Sequence, residues 1–159
     1  MLRVMDVLSR GGVRIAIGGG WGIDALVGEQ TRAHRDLDVS FDADHERRVI
    51  TRLKQAGFSL HQDQRPVRFV MQDAAGREID LHPVVFDATG AGVQAGFEGI
   101  LRYPADGFTT GHIDGQAVPC FSAALQLHFH SGYAPTAKDV QDMRLLRDRL
   151  GVRLPPEYD

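Results

Sequence analysis

From Asp36 to Phe41 the chain alternates strictly between a polar and a large apolar side chain, and Glu78 to His82 repeats the pattern. Successive residues of a strand point to opposite faces. Both segments are therefore strands with one apolar face, carried by Leu37, Val39 and Phe41 in the first and by Ile79 and Leu81 in the second. Such faces must be covered, so the chain needs a sheet with helices packed on it. Those helices can be read along the chain. Val4, Met5 and Leu8 lie at helical spacing before Gly11 and Gly12. Arg14 to Ile17 is a short strand stopped by Gly18, Gly19 and Gly20, and Trp21 to Val27 reads as a helix closed by Gly28. Asp44 stands as the cap of a helix striped by Val49, Ile50, Leu53 and Ala56 and ended by Gly57. Strands are expected at 58–61, 67–72 and 77–82, the last two joined by a turn from Asp73 to Gly76. Residues 88–99, rich in Gly and Ala, read as loop. Asp114-Gly115 marks a hairpin between 108–113 and 116–119. Helices at 122–130 and 137–150 close the chain, the second with Thr136 and Asp139 spaced as a capping box. The sum is an α+β fold: a mixed β-sheet flanked by helices, with residues 1–119 as the core. Residues 120–159 form a small C-terminal helical segment packed on it, in one compact domain.

Composition narrows the function classes. The length of 159 residues is about one domain. No apolar run approaches the ~18 residues of a membrane span, and no leader pattern opens the chain, so a cytoplasmic protein without membrane contact is expected. The single cysteine, Cys120, excludes an internal disulfide and a thiolate-rich metal site. A net charge of −3 argues against a broad nucleic-acid surface. Lys54 and Lys138 are the only lysines beside 16 arginines.

The chemistry concentrates on the two alternating strands. Asp36 and Asp38 share a face about 6.6–6.8 Å apart at the backbone, so both can converge on one cation. Oxygen ligands of this kind suit Mg²⁺, which also takes substrate phosphates. If the second strand pairs beside the first, Asp80 becomes a third carboxylate, and three converging carboxylates need cations between them. Two ions about 3.5–4 Å apart would activate a nucleophile and neutralise a leaving phosphate. Upstream, Gly19 and Gly20 open a helix whose N-terminus favours anions. Each neighbouring residue also has a plainer role. Trp21 can be a core anchor, Asp24 a complement to the helix dipole, and Arg32, His34 and Arg35 members of ion pairs. His82 can bond a carboxylate or ligate a metal, and Lys138 can be a surface charge. The stretch from Gly20 to Ala25 also fits a dinucleotide fingerprint. The chain is too short for that fold with a substrate domain, and Asp36, Asp38 and Asp80 would go unexplained. No P-loop is present.

The twenty residues Gly19-Gly-Trp-Gly-Ile-Asp-Ala-Leu-Val-Gly-Glu-Gln-Thr-Arg-Ala-His-Arg-Asp-Leu-Asp38 resemble the signature of the aminoglycoside and lincosamide nucleotidyltransferases. Those enzymes belong to the DNA polymerase beta-like nucleotidyltransferase superfamily. Glu78 to Pro83, Gly115 to Ser122, His130 to Tyr133 and Lys138 to Leu146 extend the likeness over nearly the whole chain. The length and the closing motifs look more like the lincosamide branch. The resemblance implies a nucleotidyltransferase core and transfer of AMP from ATP, as co-substrate with Mg²⁺ (two ions), to an antibiotic hydroxyl, by a monomer or homodimer. It assigns metal binding to Asp36, Asp38 and Asp80, with Asp80 as the proton acceptor. Gly19, Gly20, Trp21, Arg32 and Lys138 would bind nucleotide, supported by Asp24, His34 and His82. Ala124 departs from the pattern, since related enzymes often carry Glu there. Alternatives are a non-catalytic or toxin–antitoxin-type nucleotide-binding module of the same fold, or another small-molecule hydroxyl as acceptor. For the acceptor, Glu78, Asp106 and Asp114 would suit a polycation, and Phe97, Tyr103 and Phe108 an apolar arm. The closing segment adds Phe121, Phe129 and Tyr133 to the apolar set.

Overall fold

The computed structural model describes residues 1–158. Helix α1 (Leu2–Ser9) leads through a glycine turn into strand β1 (Ile15–Ile17), helix α2 (Gly19–Val27) and strand β2 (Asp36–Asp42). A single 3₁₀ turn and helix α3 (Glu46–Gln55) precede β3 (Phe58–Gln64), β4 (Arg68–Asp73) and β5 (Glu78–Phe86). Then come β6 (Gly92–Gly96), β7 (Gly99–Tyr103), β8 (Phe108–Ile113) and β9 (Gln116–Phe121), and the helices α4 (Ala123–Phe129) and α5 (Ala137–Leu150).

The sheet runs in the order β3-β4-β5-β2-β1-β9-β8, with β6 pairing the far end of β5 and β7 pairing β6. It is mixed: β2 is parallel to β5 and antiparallel to β1, while β1 is parallel to β9. The α+β arrangement expected from the sequence is therefore the one found. Leu37, Val39 and Phe41, with Phe69, Met71, Ile79 and Leu81, send their side chains into one core with Leu8, Val49 and Leu53 of α1 and α3. Each fully buried aliphatic residue there contributes about 1.5–3 kcal/mol. That core leaves the other face of β2 and β5 to the polar half of the alternation. A second apolar group, Ala16, Val84, Tyr103, Phe121 and Leu125, packs along this face beside them. Ile23 on α2 joins Met143 and Leu146 on α5 and Tyr158 near the end of the chain in a third.

Local signals place most elements within a residue or two, but β3 and β5 run on to Gln64 and Phe86, three and four residues past the expected ends, and three further details differ. Helix α2 starts at Gly19 rather than Trp21, because Gly18 already serves as its cap residue in an extended conformation. Asp42, not Asp44, provides the cap before α3: its side chain accepts from the Asp44 N–H and starts the 3₁₀ turn. The expected loop at 88–99 contains β6 and the start of β7, an antiparallel hairpin with Gly96 opposite Gly99. Glycines and alanines conceal it, since they are poor strand formers. It is held by its ladder to β5, where Val85 pairs Val93, and by the buried side chains of Gln94 and Tyr103. Among the described residues, no helix is long and apolar enough to cross a membrane.

Candidate active site

The parallel register of β2 and β5 places Asp36 beside Glu78, Asp38 beside Asp80 and Ser40 beside His82. Two successive rungs thus carry acid against acid on one face. Like charges on neighbouring strands are destabilising, so packing alone would not select this pattern. Arginines relieve part of it. The Arg68 guanidinium on β4 donates to Asp80 Oδ2, and Arg35 approaches Glu78 at 3.5 Å.

Asp38, Asp80 and His82 each offer a ligand atom within 4.8 Å of the others, a group able to hold a metal ion. His82 Nε2 lies 3.7 Å from Asp38 Oδ1 and 3.6 Å from Asp80 Oδ1, too far for hydrogen bonds. Asp80 Oδ1 is buried and has no hydrogen-bond partner. An orphaned buried carboxylate oxygen is costly, and a bound cation is one of the few arrangements that justifies it. The donor set therefore fits a hard cation. Burial raises the Asp80 pKa above the ordinary carboxylate value; the His82 and Arg68 charges oppose the rise and Asp38 adds to it. Asp36 stands one pleat away on the same face, exposed and outside this tight group. Of the three carboxylates expected to converge, the structure brings two together and adds His82. Arg68 carried no local signal, since its role depends on β4 lying beside β5.

The glycines before and within α2 are explained by what a side chain would strike. Gly19 has φ +53°, and a Cβ there would sit 2.1 Å from Asp38 Oδ2. At Gly20 a Cβ would meet Arg32 Nη2 and His34 Nδ1, each at 2.5 Å. At Gly22 it would meet Gln126 Nε2 at 2.4 Å. The bare first turn of α2 therefore lies directly against Asp38, with backbone N–H groups that favour anions beside the acidic pair.

The remaining candidates divide by what they touch. Asp24 is buried, accepts from Thr31 Oγ1 at 2.6 Å and meets His34 Nε2 at 2.5 Å. The Trp21 ring lies against His34, centroids 4.6 Å apart, and packs on the main core. Asp24, His34 and Trp21 thus brace the segment between α2 and β2. Arg32 stands beside Gly20, and its Nε and Nη2 grip the buried Asp142 of α5 at 3.1 and 2.6 Å. Lys138 is exposed in the first turn of α5.

A cavity of about 240 Å³ opens beside the acidic pair. Asp38, His82 and Gly19 form one side, and Leu101, Tyr103, Phe121 and Phe129 supply its apolar lining. Of the aromatic residues expected for an acceptor, Tyr103, Phe121 and Phe129 are here. Phe108 stacks behind Tyr103, and Phe97 is 70% exposed at the tip of the β6–β7 hairpin. The acids Glu78, Asp106 and Asp114 do not line this cavity. The acids of the closing segment are engaged elsewhere: Asp142 with Arg32, Asp139 in the cap of α5, and Asp148 with Arg147.

Residues 1–146 match the family model of aminoglycoside-2''-adenylyltransferases. The chain is 34% identical to a lincosamide resistance protein of Staphylococcus haemolyticus over 145 residues, covering 91% of this chain and 90% of that one. Its fold is similar to the crystal structure of the lincosamide antibiotic adenylyltransferase LnuA with lincomycin bound. The TM-score is 0.83 at 33% identity, over 92% of this chain and 93% of the other. It also superposes on ANT(2'')-Ia in complex with adenylyl-2''-tobramycin, with a TM-score of 0.74 at 20% identity over 94% and 87% of the two chains. That last likeness concerns the fold alone.

Proposed function

Since the chain belongs to the aminoglycoside-2''-adenylyltransferase family and is an antibiotic-type nucleotidyltransferase, we propose that it transfers AMP from ATP to a lincosamide-like hydroxyl. The observation that carries this reading is the Asp38–Asp80 rung, with its orphaned oxygen, next to an apolar cavity that Asp38 lines. Asp38 and Asp80 would hold Mg²⁺, with Asp36 the next carboxylate along the same face. When bound, the ions neutralise phosphate charge and lower the cost of deprotonating the acceptor.

The chain's own residues do the rest. The first turn of α2 receives the phosphates, and Arg32 and Lys138 are placed on the segments that flank it. The acceptor oxygen attacks the α-phosphorus, the new O–P bond forms in line, and the bond to the β-phosphate oxygen breaks to release pyrophosphate. Asp80 takes the hydroxyl proton, while Arg68 holds its Oδ2 and fixes the carboxylate in place. The low-charge, aromatic lining suits an acceptor with one amine and an apolar arm better than a polycation with several rings.

The test is mass spectrometry after incubation with Mg-ATP and either lincomycin or tobramycin. Addition of one AMP to lincomycin, with a higher kcat/KM than for tobramycin, is the expected result. A preference for tobramycin would reverse the acceptor assignment and leave nucleotidyl transfer standing.

A further inference from the structure

Behind the acidic pair, a side-chain relay reaches His82 from a part of the chain that looks like loop in the sequence. Gln94, on β6, is buried. Its amide nitrogen lies 2.7 Å from the Val67 carbonyl oxygen and 3.2 Å from His82 Nδ1, and the Tyr103 hydroxyl donates to its Oε1. The chemistry of these partners settles the orientations. A carbonyl can only accept, so the amide atom facing Val67 is the NH₂ group. That group has two hydrogens, and its second points at His82 Nδ1. Nδ1 must therefore accept, which leaves the ring proton on Nε2. Nε2 is the atom that sits 3.7 and 3.6 Å from Asp38 and Asp80. Burial pushes the Tyr103 hydroxyl up to about 12, so it stays protonated as the donor that starts the relay.

We propose that Gln94 is a positioning residue that locks His82 as the Nε2–H tautomer, so that the imidazole turns an N–H rather than a lone pair toward Asp38 and Asp80. Nε2 then has no lone pair with which to ligate a metal. Of the three groups that geometry alone would admit as ligands, the relay leaves the two carboxylates and makes His82 a neighbouring N–H that faces their oxygens from 3.6–3.7 Å. Outer partners of this kind commonly change affinity or activity by 10–100-fold when removed. The catalytic consequence rests on the proposed adenylyl transfer, but the tautomer does not.

Nitrogen-15 NMR of the histidine rings in the intact chain, recorded well above the ordinary imidazole range, reads the tautomer directly. The His82 signal is identified by its disappearance in His82→Asn. The wild-type ring should show a protonated Nε2 and a bare Nδ1. A bare Nε2, or both nitrogens protonated, would overturn the proposal, and this measurement requires no change at Gln94. In Gln94→Glu the new carboxylate accepts from the ring, so the proton should move to Nδ1 while the backbone spectrum keeps its dispersion. An unchanged His82 signal in that folded variant would also overturn it. In Gln94→Met, kcat for adenylyl transfer should fall by roughly 10–100-fold, with KM for ATP changed far less. Equal losses in both constants would point to general disruption and count against positioning. If wild-type protein shows the expected tautomer but modifies neither antibiotic, the acceptor assignment fails and the relay stands.

Discussion

Asp80 is engaged on one oxygen and orphaned on the other: Arg68 donates to Oδ2 from the neighbouring strand, while Oδ1 lies buried without a hydrogen-bond partner beside Asp38. This division leaves one carboxylate oxygen restrained and the other available to a cation or a proton. We predict that Asp80→Asn lowers kcat by about 10²–10⁴-fold, the range of a lost general base, while ATP binding remains measurable through Asp38 and Asp36. Steady-state kinetics beside calorimetric ATP titration separate the two effects. Near-normal turnover in the variant would remove Asp80 from the chemistry.

Gly19 should be intolerant of even one methyl group for two separable reasons. Its φ of +53° costs a non-glycine residue about 1–2 kcal/mol, and the Cβ would collide with Asp38 Oδ2. Gly12 provides the control, with φ +64° and nothing within 4 Å of a built Cβ. Gly12→Ala should therefore lose only the backbone cost and keep its transfer activity, whereas Gly19→Ala should lose more stability by denaturant unfolding and lose transfer activity as well. Full activity in Gly19→Ala would show that Asp38 need not lie against this turn.

The Arg32–Asp142 pair ties the segment before β2 to α5, so its stability role and any role in nucleotide binding are superimposed. Arg32→Met leaves a buried carboxylate unpaired and should destabilise the fold by about 3–5 kcal/mol. Pairing it with Asp142→Leu should restore most of that loss, since a matched apolar replacement removes both charges together. The double variant should still bind ATP weakly if Arg32 also meets phosphate. Recovery of stability and nucleotide affinity together would confine Arg32 to the structural role.

Cys120 is fully buried between β1 and β8, and burial pushes its thiol up to about 11. The thiolate is the reactive form, so at neutral pH the native protein should react with a disulfide reagent far more slowly than free cysteine. The reaction should become rapid once guanidinium unfolds the chain. Fast stoichiometric labelling of native protein would contradict this burial.

Much of the framework is written in short stretches of the chain. The alternation at Asp36–Phe41 and Glu78–His82 depends only on the period of a strand, and it assigns the acids to one face and the core residues to the other. The box at Thr136 and Asp139 and the turn at Asp114-Gly115 are equally local, because caps and tight turns are built from neighbours. The signature from Gly19 to Asp38 likewise lies in twenty consecutive residues. Tertiary structure decided which groups meet. Asp36 belongs to the same local pattern as Asp38, yet register sets Asp38 against Asp80 and leaves Asp36 in solvent. Arg68 and Gln94 reach Asp80 and His82 only because β4 and β6 pair with β5, and β6 is hidden by glycines that its ladders with β5 and β7 hold extended. A side chain's direction follows from the few residues around it, whereas its partner depends on how strands distant along the chain are paired.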